Sequence, residues 1–137
     1  MTIPTQMSLH GFIATVPDLS FTQTGKARFY ARVGCEHYRK EVDGSFTKLD
    51  PSFHDLVLFE ATAERVYARF RKGDSFVASG YIHQYEIERD GTTLVRDEFV
   101  ARRIGHDTAR TAYEVQRRRM TAADPATEQP PQPAVGI

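Results

Sequence analysis

Residues 56–74 read LVLFEATAERVYARFRKGD, and this stretch combines two different hydrophobic periods. The first four residues form a short apolar run of the kind that a buried strand uses. Apolar residues then recur at helical spacing, at Ala63, Val66, Tyr67 and Phe70. Gly73 follows as the expected C-terminal cap. We therefore predict a strand that ends at Phe59, followed by one short surface helix at about 61–71.

Strand patterns also lie on both sides of this stretch. Residues 26–35 alternate between an apolar face and a second face that is aromatic and basic, on which Arg28, Tyr30 and Arg32 lie. The other predicted strands are residues 7–16, about 53–59, 75–87 and 92–104, and ERDG at 88–91 is a hairpin signal between the last two. Residues 16–25 and 36–52 are predicted to be turn-rich or polar connections, with a turn at Asp43-Gly44.

The order of these elements is strand, strand, strand, helix, strand, strand. It predicts an all-β protein, a five-stranded OB-fold barrel with one short α-helix between strands 3 and 4. OB-folds commonly bind oligonucleotides or sugars. We expect residues 1–107 to form this domain and residues 108–137 to form a tail. Residues 121–137 hold four of the seven prolines, so the tail is predicted to be disordered from about 121.

Composition narrows the class of protein. The 137 residues include 18 basic and 18 acidic side chains, so net charge gives no argument for nucleic acid. Cys35 is the one cysteine, which excludes an intrachain disulfide framework and fits a reducing cytoplasm. No apolar run approaches the ~20 residues of a membrane span, and the N-terminus lacks a signal-peptide pattern.

The sequence offers no pattern for catalysis or for a cofactor. The five histidines show no His-x-x-His spacing, and no Cys-x-x-Cys or glycine-rich phosphate loop is present. Cys35 and His37 stand two residues apart on a predicted strand, a spacing that does not form a nucleophile–base pair. We therefore expect no enzyme activity, no metal and no cofactor.

The stretch at 56–74 also resembles the bacterial single-stranded DNA-binding protein family. That family has a strand ending in an aromatic and a small residue, a short helix beginning near Ala-Glu, and then a Lys-Gly turn. The resemblance covers roughly residues 9–105, with motifs in the family's order: Gly11-Phe12-Ile13, Pro17-Asp18-Leu19, Thr24-Gly25-Lys26-Ala27, Leu58-Phe59-Glu60, Ala63-Glu64, Gly80-Tyr81-Ile82 and Asp97-Glu98-Phe99-Val100-Ala101. It implies an OB-fold, DNA binding and a homo-oligomer, either a tetramer or a dimer.

The chain departs from the family's pattern at several positions. Members often stack bases on tryptophans, and this chain has none. Phe53 and Phe59 stand at two of the family's aromatic positions, Tyr38 approximates a third, and Tyr85 is a substitute for the fourth. Asp55 lies where a basic residue would suit DNA better. The chain ends in Pro-Ala-Val-Gly-Ile rather than an acidic, phenylalanine-tipped peptide, which makes recruitment of repair enzymes through the C-terminus doubtful.

Binding of single strands without sequence preference requires flat faces for stacking and cations along the backbone. The candidate residues are aromatic or basic, and most lie at outward positions of the predicted strands: Tyr30, Arg32, Tyr38, Arg39, Phe53, Phe59, Lys72, Tyr81 and Tyr85. For Phe59, filling the barrel or a subunit interface is an equally good reading. His54 falls on the other face of its strand, where the resemblance implies a subunit contact, and a core histidine is the alternative.

The resulting hypothesis is a non-enzymatic, sequence-tolerant binder of single-stranded DNA. Its role would lie in DNA replication, recombination or repair, as a cytoplasmic, nucleoid-associated homo-oligomer without contact to membranes. The alternative is an OB-fold paralogue that acts as a protein–protein assembly module, with weak or no DNA binding. The neutral charge, the absence of tryptophan, Asp55 and the changed C-terminus favour that alternative somewhat. The sequence does not distinguish a chromosomal from a plasmid or phage role.

Overall fold

The structure, a computed structural model, describes residues 2–118. Its elements in chain order are β1 (Met7–Ile13), β2 (Asp18–Phe21), β3 (Ala27–Lys40), β4 (Phe46–Phe59), α1 (Glu60–Arg69), β5 (Ser75–Arg89) and β6 (Thr92–His106). The strands follow the order β1-β5-β6-β4-β3-β2, and an additional pairing of β1 with β3 closes the sheet. β4 and β6 are parallel, and the other pairs are antiparallel. The predicted five-stranded OB-fold barrel, formed by β1, β3, β4, β5 and β6, is confirmed.

The core lies inside this barrel and consists of the side chains at alternate strand positions that point inward. The apolar face of β3 points inward, as its pattern predicts, and so do Leu56 and Leu58 of β4 and Phe76 and Ala78 of β5. α1 packs on the barrel through Ala63 and Val66, and Phe70 follows directly after the helix. The prediction that Tyr67 belongs to this packed stripe is wrong. Its side chain is 43% exposed, because it lies about 100° around the helix axis from Val66, at the edge of the stripe that Ala63 and Val66 form.

The helix also ends earlier than predicted. Phe70 has extended backbone angles (φ −105°, ψ 141°), and its N–H donates to the Val66 carbonyl, which completes the last turn. Gly73 is therefore not the cap. With φ at +96° it lies in the turn into β5, where its N–H donates a 2.7 Å hydrogen bond to the Ile13 carbonyl. The glycine is needed for a tight turn that joins β5 to the end of β1.

Two segments predicted as connections are strands. Residues 18–21 form β2, which pairs with the first residues of β3. Residues 36–52 complete β3 and β4, which continue as a long hairpin around the predicted turn, where Gly44 has φ at +89°. These residues pair mainly with each other and stay largely exposed, so no apolar alternation marks them in the sequence.

The chain beyond the barrel contains a turn and no further regular element among its described residues. β6 ends at His106, and the Arg110 N–H donates to the Asp107 carbonyl at 3.1 Å. The disorder predicted from about 121 lies outside the described residues. Within residues 2–118, no helix is long and apolar enough to cross a membrane.

Candidate nucleic-acid interface

One side of the barrel, here called the outer face, carries side chains from β3, β4, β6 and β5 in cross-strand rows. Pairing places Tyr30 opposite Val57, Val57 opposite Val100, and Val100 opposite Tyr81. Directly paired residues point to the same side of a sheet. The two valines are buried, and Tyr81 is 43% exposed. The row therefore has an apolar floor with a tyrosine at each end.

Each of these tyrosines has an arginine beside its ring. The Arg28 guanidinium lies 5.6 Å from the centre of the Tyr30 ring, and the Arg102 guanidinium lies 5.3 Å from that of Tyr81. Both distances fall within the range of cation–π interactions. Phe59 pairs with Arg28 and is 37% exposed, so it extends the aromatic surface to the start of α1. Aromatic rings with adjacent guanidinium groups are the components from which single-strand sites are built.

A second row, beside the first, consists of charged side chains. Arg32 pairs with Asp55, Asp55 with Glu98, and Glu98 with His83. The Asp55 carboxylate accepts hydrogen bonds from the Tyr30 hydroxyl at 2.7 Å and from the Arg32 guanidinium at 2.9 Å. Glu98 contacts His83 Nδ1 at 3.0 Å and the Arg28 guanidinium at 3.6 Å. The two carboxylates thus neutralise the cations in the middle of the outer face.

The hydroxyl of Tyr30 is engaged by Asp55. Partial burial raises the pKa of this hydroxyl, and the hydrogen bond to Asp55 raises it further. The proton is directed at the carboxylate, and the hydrogen bond orients the ring on the outer face.

Phe53 lies on the same face of β4 as Phe59, six residues earlier and near the middle of the strand. It is 45% exposed, pairs with Gly34 and makes an edge-to-face contact with Phe12, whose ring centre is 6.4 Å away. The Phe12 ring occupies the space that a side chain at position 34 would need. Phe12 is an outer-face residue that we did not predict. The signal for it was Gly34, because a glycine inside a strand often marks a close approach.

Tyr85 also lies on the outer face, as predicted. Its ring stacks on His83 with 5.8 Å between ring centres, and it is opposite Arg96 on β6. Tyr81, His83 and Tyr85 therefore form one line along β5.

The remaining three predicted site residues lie in the β3–β4 hairpin and in the turn after α1. Tyr38 and Arg39 belong to the β3–β4 hairpin, where Tyr38 donates to Glu36 at 3.1 Å and Arg39 to Glu41 at 3.1 Å. The hydrogen bond from Tyr38, together with nearby Lys48, lowers the pKa of the Glu36 carboxyl. Lys72 is exposed in the turn between α1 and β5.

Tyr38 and Phe12 share a hollow of about 360 Å³, which brings Tyr38 close to the aromatic pair of Phe12 and Phe53. His54 lies on the opposite side of β4 from Phe53, beside a separate hollow of about 210 Å³ that also exposes Leu9 and Ile82. In residues 2–118 no group of histidine, cysteine, aspartate or glutamate side chains is arranged to hold a metal ion.

A model of the single-strand binding protein family matches residues 4–107. The chain belongs to the single-strand binding protein family. The resemblance seen in residues 9–105 is thereby confirmed. No curated protein sequence matches this member of the family.

Solved structures of three proteins have the same fold. The small single-stranded DNA-binding protein from Streptomyces coelicolor has a TM-score of 0.64 and 20% identity, and the match covers 77% of this chain and 98% of that one. A deletion mutant of the single-stranded DNA binding protein from Thermus aquaticus has a TM-score of 0.63 and 21% identity, with 75% of this chain and 50% of that one covered. The Plasmodium falciparum SSB in complex with ssDNA has a TM-score of 0.62 and 12% identity, with 77% of this chain and 98% of that one covered. At these identities the likeness establishes the OB-fold alone.

Proposed function

We propose that this protein binds single-stranded DNA by stacking bases on the outer face, without catalysing a reaction. The observation that carries the proposal is the row from Tyr30 to Tyr81. Two buried valines lie between the tyrosine rings, and each ring has an arginine beside it. Every base has a π-face, so such a row accepts any sequence, at about 1–3 kcal/mol per stacked base. Membership of the single-strand binding protein family supports the same function.

The proposed stacking residues form two groups on this face. Tyr30, Phe59 and Tyr81 surround the valine floor, and Tyr85 continues the line along β5. Phe53 lies near the middle of β4, where its ring contacts Phe12, and Phe12 lines the same hollow as Tyr38. From Phe53 to Phe59 the strand spans roughly 20 Å at ~3.3 Å per residue. That length suits several successive bases rather than one.

Phosphate contacts are proposed at Arg32, Arg39 and Lys72. Arg32 and Arg39 already contact the Asp55 and Glu41 carboxylates at 2.9 and 3.1 Å. A phosphate must therefore compete with a carboxylate for each guanidinium. We therefore expect stacking to contribute more to affinity on the outer face than phosphate contacts of these two arginines do.

We further propose that the protein acts as a homo-oligomer, a tetramer or a dimer, in the cytoplasm and in association with the nucleoid. Replication, recombination or repair of DNA is its proposed setting, as for the family it resembles. His54 is the proposed subunit contact, because it lies beside an exposed apolar hollow on the side of β4 away from Phe53. Several outer faces per particle would share one strand and raise avidity.

The alternative function, a protein–protein assembly module with weak or no DNA binding, is not favoured. Its main arguments were the neutral charge and the missing tryptophans. Against the missing tryptophans, the rings that we propose for stacking are tyrosines and phenylalanines exposed on the outer face. The neutral charge is consistent with binding that depends mainly on stacking, because Arg28 and Arg32 are already paired with carboxylates.

The test is fluorescence anisotropy of a labelled oligothymidine and of a duplex of equal length, at two salt concentrations. We expect preference for the single strand together with quenching of tyrosine fluorescence, which tryptophan cannot mask because the chain has none. Tyr81→Ala should weaken binding at least fivefold, by the loss of about 1 kcal/mol or more. Phe46→Ala is the matched control, because it removes a 66% exposed ring from the tip of the β3–β4 hairpin. Absence of single-strand binding at low salt would refute the proposal.

A further inference from the structure

Four arginines line one groove between α1 and β6. Arg65 and Arg69 belong to α1, Arg102 and Arg103 belong to β6, and all four are exposed. The groove has a volume of about 650 Å³. The function proposed for the outer face gives this groove no role. We call it the arginine groove.

The local backbone explains why the four side chains meet. Arg65 and Arg69 are four residues apart, so they lie above one another on the same side of the helix. Arg102 and Arg103 are consecutive on a strand and would ordinarily point to opposite sides. A bulge prevents this: Ser79 pairs with Arg103 and Gly80 with Ala101, which leaves Arg102 as the extra residue. Both arginines therefore line the same groove.

The charges of this groove are not compensated, in contrast to those of the outer face. Arg28 and Arg32 both contact carboxylates there. Within residues 2–118, none of the four groove arginines forms an ion pair. Four guanidinium groups that repel one another around a shared groove favour an anionic ligand with several charges.

The arginine groove is continuous with the outer face. Arg102 lines the groove and also lies over the Tyr81 ring. A smaller hollow of about 250 Å³ adjoins it, and Thr62 and Arg102 line both. Phe59, Tyr81 and Glu60 also line the smaller hollow, and the Glu60 carboxylate is paired with Lys26 at 3.5 Å. A chain molecule stacked on Phe59 and Tyr81 would thus reach the groove without leaving the protein surface.

We propose that the arginine groove binds the sugar–phosphate backbone of the single strand where the strand leaves the outer face past Phe59 and Tyr81. The proposal rests on the function proposed above and extends it, because one subunit would contact a longer segment than its aromatic face covers. Guanidinium groups suit this role, since their fork matches two phosphate oxygens at once. Continuity with the stacking surface favours the strand over an acidic protein segment as the occupant.

The test compares two oligothymidines on the full-length protein. One has about 4 nucleotides and one about 16, the limits of what a single OB-fold occupies. The variant is Arg65→Ala/Arg69→Ala, since alanine preserves the helix. Its control is Arg117→Ala/Arg118→Ala, which removes the same charge from exposed residues beyond β6.

We expect the groove variant to bind the short oligomer as the wild type does and the long one on the order of tenfold more weakly at low salt. The slope of log affinity against log salt should fall by about 1.4 for the long oligomer, at ~0.7 per lost phosphate contact. An equal loss for both lengths, an equal loss in the control, or no loss would overturn the groove proposal. A labelled polyglutamate peptide that binds the groove more tightly than the oligomer would overturn it as well.

The two proposals fail in different ways. If Tyr81→Ala weakens both oligomers while the groove variant binds both normally, only the groove proposal fails. If the wild type binds neither oligomer at low salt, the function proposed for the outer face fails and the groove proposal fails with it.

Discussion

The Tyr30 hydroxyl of β3 donates a 2.7 Å hydrogen bond to the Asp55 carboxylate of the neighbouring strand β4, at the centre of the outer face. The same carboxylate oxygen accepts from Arg32 at 2.9 Å. One acidic residue therefore orients the aromatic ring and neutralises the adjacent cation. These two effects have opposite consequences for a nucleic acid, because an oriented ring favours stacking whereas a neutralised cation weakens phosphate binding.

Substitutions of Tyr30 separate the ring from the hydroxyl. Tyr30→Phe keeps the stacking surface and leaves Asp55 paired with Arg32, so single-strand affinity should stay within about twofold of the wild type. Tyr30→Ala removes the surface and should cost about 1–3 kcal/mol of binding free energy. Anisotropy titrations with one labelled oligothymidine measure both variants. If the phenylalanine variant loses as much affinity as the alanine variant, the hydroxyl and not the ring makes the contact.

Removing the charge of Asp55 should strengthen DNA binding. Asp55→Asn frees Arg32 to contact a phosphate and removes a negative charge from the surface on which the single-stranded DNA would lie. Affinity should rise, and the slope of log affinity against log salt should become steeper by about 0.7. Asp90→Asn is the control, because Asp90 is exposed in the turn between β5 and β6 and carries the same charge. Equal gains in both variants would show that net charge, not the pairing with Arg32, is responsible.

The raised pKa of Tyr30 predicts a loss of stability at high pH. The folded state holds this proton more tightly than the unfolded chain, through burial first and the bond to Asp55 second. The stabilisation is therefore complete below the ordinary tyrosine pKa of about 10 and disappears as pH rises through the folded-state pKa. Urea denaturation at several alkaline pH values should show a smaller decline in Tyr30→Phe than in the wild type. Tyr67→Phe, which removes an exposed hydroxyl from α1, should decline as the wild type does.

The parts of this fold that the sequence predicts are those that touch the core. Ala27 and Phe29 alternate with Arg28 and Tyr30, so the inward and outward sides of β3 are readable, and Val66 and Phe70 indicate the helix. β2 and the part of the β3–β4 hairpin near its turn are held by backbone pairing and bury little apolar side-chain surface. Their sequences therefore show no hydrophobic period.

The candidate site also has a part that the sequence predicts and a part that it does not. Tyr30, Phe59 and Tyr81 follow from strand parity once the fold is known, because parity fixes the side of the sheet. The arginine groove does not follow from it, since a bulge turns Arg102 to the side of Arg103. Phe12 was missed for a related reason: its position depends on the closure of β1 against β3, a contact between residues distant in sequence.

Barrel closure provides the last prediction, through Gly11 of β1 and Gly34 of β3, which lie close together where these two strands meet. A side chain at Gly11 would collide with the backbone carbonyl of Gly34, whereas one at Gly34 would meet the end of the Phe12 ring. A ring can rotate away, but the backbone of a paired strand cannot. Gly34→Ala should therefore cost about 1–3 kcal/mol of unfolding free energy, within the usual range for overpacking, and Gly11→Ala should cost more. Urea denaturation measures both, with Gly105→Ala as control because no atom lies near the side chain that it would add. A Gly34→Ala variant less stable than Gly11→Ala would contradict this assignment of the closure contact.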